Sequence, residues 1–494
     1  MDSKKKSHTP KQFDTMLNTQ TRTRFILFIM AMALLMAACK LPQVPVAGSQ
    51  LELPAAFDKN NDTVSNPNLH RKQFFTSGVL NNLIDTVLAR NYDLRMALQR
   101  IEMAKATSRQ AGAALLPQVN GTIVPSLRKF GLYTMDGAGN IVTDIEKGKL
   151  VPVDLPDFYG GFQASWEIDL WGKLRNRKKA ALSRVLANLE VKNLIQTNLI
   201  AETATAYFEL MAADRELRVI DETIRLQEQA IDAVRIQKQA AVVNELAVQQ
   251  FEAQLLGLKS LRVEVLQWVN MFENQINSLA GRFPQAILRD TAFFGNQSLP
   301  VVHAGIPSAL LQNRPDIRQA EMELQASKAD LLSARAAFLP SLTITGAAGL
   351  QAYRTGLLFR FPESIAYNII GGLTGPLINR NAIKAEFAKA NALQQEALLN
   401  YQKTINRAYL EVDLELKKIR NLQEVFEFRS RERDVLAESI SVSAELFRTG
   451  RASYLEVLIA RQNALRSNIE LIVTKKNQYL SVINLYKSLG GGWQ

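Results

Sequence analysis

Polar and apolar positions along this chain follow two different periods, arranged in alternating blocks. After Gly172 and up to about Ala240 there is neither Pro nor Gly, and residues recur at seven: Leu210, Leu217, Ile224 and Ile231, beside Ala213, Ile220, Gln227 and Val234. A later stretch does the same with Leu458, Leu465, Ile472, Tyr479 and Tyr486, beside Leu455, Gln462, Ile469, Lys476 and Ile483. Heptads predict long helices with coiled-coil seams, the first about 100 Å long at ~1.5 Å per residue. Each is expected to turn back at a tip, Val242 to Glu245 in one case and Thr449 to Ser453 in the other.

Four other segments alternate with a period of two, the pattern of strands. They are Gln118 to Ile123, Phe162 to Leu170, Leu342 to Thr345, and a weaker Gly-rich one near Tyr367 to Pro376. If such strands cross a membrane, Gln163, Ser165, Glu167 and Asp169 face water while Phe162, Ala164, Trp166 and Ile168 face lipid. Four strands cannot close around packed side chains, and an open edge has no hydrogen-bond partners in lipid. Two readings follow. Either several copies pool their strands, two copies giving a filled eight-stranded barrel and three a twelve-stranded one with a lumen, or small sheets sit between coiled coils in a soluble periplasmic protein.

The chain also repeats itself. Asp93-Leu94-Arg95-Met96-Ala97 returns as Asp316-Ile317-Arg318-Gln319-Ala320, and the same offset of 223 aligns Lys105, Ala106 and Leu116-Pro117 with Lys328, Ala329 and Leu339-Pro340. Further on, Ala206-Tyr207-Phe208-Glu209 matches Ala408-Tyr409-Leu410-Glu411. In each half a helix (roughly 80–116 and 306–339) is expected to end at Leu-Pro, where Pro stops it. The organisation expected is a signal peptide over 1–38, an extended segment over 39–78, a first repeat over 79–281, a linker over 282–305, a second repeat over 306–489 and a tail over 490–494.

The N-terminal end carries its own signal. Lys4 to Lys6, Lys11, Arg22 and Arg24 precede a 14-residue apolar run, Phe25 to Ala38, too short to span a bilayer and suited to a signal-peptide core. It ends Leu35-Met36-Ala37-Ala38-Cys39, small residues before the only cysteine, in the manner of a bacterial lipobox; Cys39 is the expected lipidation site. Lys40, where Asp would retain such a protein in the inner membrane, implies sorting to the outer membrane. Met16 is an alternative start to Met1. Residues 1–38 hold six Lys/Arg and two Asp, so their removal lowers the net charge from +12 to +8. No zinc-finger spacing or concentrated basic tract suggests nucleic acid.

One cysteine excludes a disulfide framework and a thiolate metal cage. Of three histidines, His8 and His70 lie near the N-terminus and only His303 lies in the body, in the Pro-rich linker. With no nucleophile–base constellation and no Gly-rich phosphate loop, an enzyme is not expected, nor a metal or other cofactor beyond the covalent lipid on Cys39.

Several of these segments together resemble one family. They are the duplicated Asp-Leu/Ile-Arg-x-Ala helix ending Leu-Pro, the run Trp166-Glu167-Ile168-Asp169-Leu170-Trp171-Gly172-Lys173-Leu174-Arg175, the run from Phe447 to Leu458, and the lipobox. The chain from residue 39 onward resembles the TolC/OprM-type outer-membrane efflux proteins, best their lipoprotein (NodT) branch.

The resemblance implies a mostly α-helical fold with a membrane β-barrel. Four long coiled-coil segments and four transmembrane strands per chain would assemble as a homotrimer, with a twelve-stranded barrel in outer-membrane lipid above a periplasmic helical tunnel. It implies a periplasmic adaptor at the helix tips, an inner-membrane pump, typically of the resistance-nodulation-division class, and passive exit of drugs or small toxic solutes. An outlet of type I protein secretion and a periplasmic adaptor lipoprotein are the alternatives.

By position, the resemblance also implies a periplasmic gate at Gly450, Arg451, Tyr454, Leu455, Glu456 and Ile459. Ile459 stands where an Asp is common, so an acidic ring is missing or replaced by Glu456, and Leu455 is either an apolar plug or a heptad core residue. The first tip corresponds to Ala241, Asn244 and Glu245. Ala241 takes the glycine position, and a residue with a Cβ is costly at positive φ, so a differently built turn is expected there. Pro117, Pro340, Gly172 and Pro376 mark the helix–strand junctions.

Overall fold

The computed structural model describes residues 71–290, 307–375 and 380–493, together with Pro54, Phe57 and Gly305. Cys39, the signal peptide, His303 and Pro376 lie outside them. The main elements are α1 (Gly78–Arg90), α2 (Tyr92–Ala113), β1 (Gln118–Lys129), β2 (Asp154–Ile168), α3 (Lys173–Gln239), α4 (Glu245–Leu279), α5 (Pro315–Ala336), β3 (Ser341–Ala352), β4 (Ile365–Thr374), α6 (Arg380–Arg448) and α7 (Tyr454–Ser488).

The duplication holds residue for residue. Elements α2 and α5 are both 22 residues long, β1 and β3 both 12, and all four boundaries differ by 223. The same closing hydrogen bonds end both helices: Leu115 and Leu116 N–H reach the Gly112 and Ala113 carbonyls, as Phe338 and Leu339 N–H reach those of Arg335 and Ala336. A longer insertion between β1 and β2, carrying a small two-stranded ribbon (Asp144–Glu146 with Lys149–Leu150), shortens the offset. It is 209 for both ends of α4 against α7. The Ala206/Ala408 match, at 202, therefore lies one heptad out of level while keeping the same helix face.

The single helices expected over 80–116 and 306–339 are each broken. Asn91 stands between α1 and α2 with φ −58° and ψ 133°, and its side-chain oxygen accepts the Leu94 N–H at 3.1 Å. At the equivalent place Arg314 is extended (φ −87°, ψ 118°), because a residue before proline is disfavoured in the helical region and Pro315 follows.

Two compact units share the chain. One comprises the strands, with Gln118–Lys173 and Leu331–Asn391. Its sheet is an antiparallel meander in the order β1-β2-β3-β4. Register separates the two faces. Val119, Phe162, Trp166, Ile344 and Ile369 share one face, through the pairs Val119↔Ala164, Phe162↔Ala348, Trp166↔Ile344 and Gly346↔Ile369. Asn120, Gln163, Ser165, Glu167, Thr343, Thr345 and Asn368 share the other. The alternation expected over Phe162 to Leu170 is thus present as far as Ile168, in a strand that begins earlier, at Asp154.

The expected fold class needs correction. The sheet is open: β1 and β4 are each paired on one side only, and the described residues form no barrel. Four strands, each rotated by roughly 20–25° from its neighbour, do not curl far enough to meet. Nor is any described helix long and apolar enough to cross a membrane. What the chain forms is a mostly α-helical fold with a small open sheet, in which four long helices make two hairpins, α3–α4 and α6–α7, of 67 and 35 and of 69 and 35 residues.

Two junctions of the sheet unit show why their residue types are needed. Gly172, between β2 and α3, has φ +78°, a left-handed value that favours glycine. Pro340 separates α5 from β3, and its carbonyl accepts the Trp171 indole N–H at 2.8 Å. Pro117 stands likewise between α2 and β1.

The helical unit has its core where the heptads predict. Leu210, Ala213, Ile220, Gln227, Ile231 and Val234 are all buried. Phe208 stacks on Tyr479 at 4.6 Å between ring centroids, and Phe74 on Tyr486 at 4.2 Å. Phe57 stacks on Tyr409 at 5.2 Å, over a second cluster with Ile405 and Val412. Along the second α7 seam, burial grows with distance from the tip: Leu455 and Gln462 are exposed, Ile469 and Lys476 half-buried, and Ile483 buried.

Candidate functional site at the hairpin tips

Both long hairpins turn through the same backbone motif. At the end of α3, the Ala241 N–H donates to the Lys238 carbonyl and the Val242 N–H to the Gln237 carbonyl. At the end of α6, Gly450 and Arg451 donate to Phe447 and Leu446 in the same pattern. Ala241 has φ +58° and Gly450 φ +72°. The first turn is therefore not built differently, as its alanine suggested. It accepts a left-handed alanine, at a cost of roughly 1–2 kcal/mol. The returning helices α4 and α7 end alike, at Gly281 and Gly490.

The return at the first tip is set by Asn244, whose side chain accepts the Ala247 N–H at 3.2 Å, capping α4. Glu245 pairs with Lys238 across the turn, and Arg235 reaches Glu252 at 2.6 Å. Beneath them Ile231, Val234, Ala247, Val248 and Phe251 form a small buried cluster. One heptad further in, the amide of buried Gln227 donates to the Phe251 carbonyl at 3.0 Å and the Gln254 side chain at 3.2 Å.

At the second tip the Glu456 carboxylate accepts the Ser453 backbone N–H and, at 2.8 Å, its hydroxyl, opening α7. That carboxylate is engaged within its own chain. Arg448 pairs with Glu445 at 2.8 Å, which raises its guanidinium above the ordinary range. Arg451 is exposed and makes no ion pair among the described residues. Tyr454 and Leu458, four apart, pack onto the first hairpin's cluster. Leu455 and Ile459, also four apart, are offset to another face of the helix and remain 46% and 47% exposed. Val457 and Ala460, on the side of the helix away from Leu455 and Ile459, are buried.

The structure thus brings Tyr454 together with the residues behind the first tip, but separates it from Leu455 and Ile459. The docking of Tyr454 and Leu458 onto this cluster was not legible in the sequence, since these side chains lie some two hundred positions from its residues. For Gln227 there was a signal, a polar residue interrupting an apolar seam. Among the described residues no group of His, Cys, Asp and Glu is placed to hold a metal ion.

The sequence matches the family described as "Outer membrane efflux protein" over residues 83–282 and 306–491, the two repeats. It is 29% identical over 427 residues to "Cation efflux system protein CusC" of Escherichia coli O6:H1, covering 86% of this chain and 88% of that protein. "Antibiotic efflux pump outer membrane protein ArpC" of Pseudomonas putida is 28% identical over 480 residues, 95% and 96% of the two chains. "Probable outer membrane lipoprotein SilC" of Salmonella typhimurium is 28% identical over 427 residues, 85% and 88%, so relatives of this chain include lipoproteins. A solved structure of CusC superposes with a TM-score of 0.76 at 26% identity, covering 90% of this chain and 99% of that one. The protein is a transport protein of the outer membrane facing the periplasm, not an enzyme, and serves as the exit duct of an efflux system with an adaptor and an inner-membrane pump. The chain belongs to the outer membrane efflux protein family, of the TolC/OprM type.

Proposed function

We propose that this exit duct is a lipoprotein, carries drugs or small toxic solutes, and works as a homotrimer with a pump of the resistance-nodulation-division class. Cleavage before Cys39 would free its amine and leave its thiol to carry a diacylglyceryl group, with Lys40 favouring the outer membrane; the lipobox residues Leu35 to Cys39 support this. The names of ArpC and SilC support antibiotic cargo and lipid attachment in turn. The observation that carries the gate is the exposed Leu455–Ile459 pair beside the anchored Tyr454–Leu458 pair. Apolar side chains held out from a rigid tip make a plug that needs no ion, and Glu456 is occupied in its cap. The adaptor would meet the tips formed by Ala241, Asn244, Glu245, Gly450 and Arg451.

Deleting the gene and restoring it on a plasmid tests the reading. Susceptibility to several antibiotic classes should rise on deletion and recover on complementation. Unchanged susceptibility with loss of a secreted protein from the medium would overturn it in favour of a secretion outlet. Feeding labelled palmitate should mark the wild type and not Cys39→Ala; equal labelling would remove Cys39 as the anchor.

A further inference from the structure

The start of α3 runs against helix electrostatics. Its first turn has no acidic residue, and between Asp169 and Glu190 the chain carries Lys173, Arg175, Arg177, Lys178, Lys179 and Arg184 with no carboxylate. The N-terminal end of a helix is its positive end, where each added cation is unfavourable. Lys173 is neutralised by Glu167 at 2.7 Å and Arg184 by Asp330. Arg175, Arg177, Lys178 and Lys179 are all exposed, and the last three make no ion pair among the described residues. The Lys178 stem lies beside Gly112 in the last turn of α2, where Arg109, one turn back, is also exposed.

The patch follows the last residues of β2 directly along the chain. Ile168 ends β2, the strand that presents Phe162 and Trp166 on the sheet's apolar face, and α3 begins five residues later. Lys173 to Lys179 spans about 9 Å of helix, comparable with the headgroup layer, roughly 5–8 Å on each side of a bilayer core. Exposed Trp166 stands near the end of β2 and exposed Trp171 in the intervening stretch, the residue type that settles at a membrane interface.

We infer that Arg177, Lys178 and Lys179, with Arg175 and Arg109, form a binding surface for anionic phospholipid headgroups in the periplasm-facing leaflet. The inference rests on the outer-membrane location and not on the proposed cargo. The phosphate supplies the negative charge that the helix start lacks, and the long side chains reach it while their stems stay against the protein.

The test uses the full-length lipidated protein in nanodiscs of equal phosphatidylglycerol and phosphatidylethanolamine, with protein-retained lipid counted by native mass spectrometry. At low salt the wild type should retain phosphatidylglycerol on the order of a hundredfold over phosphatidylethanolamine, taking three cations near an anionic surface as the source. The triple variant Arg177→Gln, Lys178→Gln, Lys179→Gln should lose most of that preference, while Arg177→Lys, Lys178→Arg, Lys179→Arg should keep it. Raising salt to 0.5 M should weaken it in the wild type. Lack of preference in the wild type, its persistence in the glutamine variant, its insensitivity to salt, or its abolition by millimolar inorganic phosphate alone would each overturn the assignment.

Discussion

Asn91 and Arg314 occupy the same position in the two repeats, 223 residues apart, and each donates to the last carbonyl of its own repeat's returning helix. The Asn91 amide reaches the Leu279 carbonyl at 2.9 Å, and the Arg314 guanidinium reaches that of Ser488 at 2.9 Å. Leu279 and Ser488 are themselves equivalent, at the offset of 209. One clasp, tying the start of the second helix to the end of the last, is thus made twice with different chemistry. Arg314 adds Asp316 at 2.7 Å and Glu411 at 2.9 Å, whose carboxylates raise its guanidinium above the ordinary range although burial opposes this.

The two clasps should differ in weight. Arg314→Ala leaves Asp316 without its cation and Glu411 with Arg407 alone, and should cost about 3 kcal/mol. Asn91→Ala removes a cap and one hydrogen bond and should cost about 1–2 kcal/mol. Thermal unfolding of the two variants in one detergent orders them, and a smaller loss for Arg314→Ala would contradict the network's role.

The shared turn allows exchange of its left-handed residue. Gly450→Ala has open space for the new Cβ, so only the backbone cost of about 1–2 kcal/mol remains. Ala241→Gly should relieve the same cost, less about 0.5–1 kcal/mol of added chain entropy. Hydrogen exchange at Val242 and Arg451 reads both effects locally. Faster exchange at Val242 in Ala241→Gly would show the turn unstrained.

Leu455→Ser tests the gate. The side chain is half-exposed and makes little of the tip's core, so the variant should fold and insert normally while passing large antibiotics more readily. Single-channel conductance in planar bilayers should rise. If it is unchanged, Leu455 is not part of a constriction, and Tyr454→Ala should then disturb only tip stability.

Glu216 predicts a pH dependence. Burial pushes its carboxyl from 4.5 up to about 7; Lys476 opposes this, and Glu209, paired with Lys476 at 2.9 Å, adds to it. A raised folded-state value means that the folded protein holds the proton more tightly, so this stabilisation is complete below about 4.5 and is lost as pH rises towards 7. Glu216→Gln should remove that decline and, at pH 8, unfold later than the wild type by the equivalent of about 3 kcal/mol. Parallel melting curves from pH 4 to pH 8 would argue against it.

Much of the architecture was legible because it is written in local periods. Heptads located α3 and α7 and their buried faces, alternation located the strands and their two sides, and an internal match located the duplication, since each pattern repeats within a few turns or pleats of itself. The tertiary structure decided what depends on distant partners. Whether a sheet closes depends on strand number and twist, and here the sheet stays open. That Tyr454 and Leu458 are anchored while Leu455 and Ile459 stand out depends on a cluster from the other hairpin. Asn91 and Arg314 find their carbonyls 188 and 174 residues away, and Ala241 holds a left-handed turn because the helices on either side over-determine it. Short-range sequence patterns record which side of an element is apolar; which neighbour covers that side is fixed only when the chain folds back on itself.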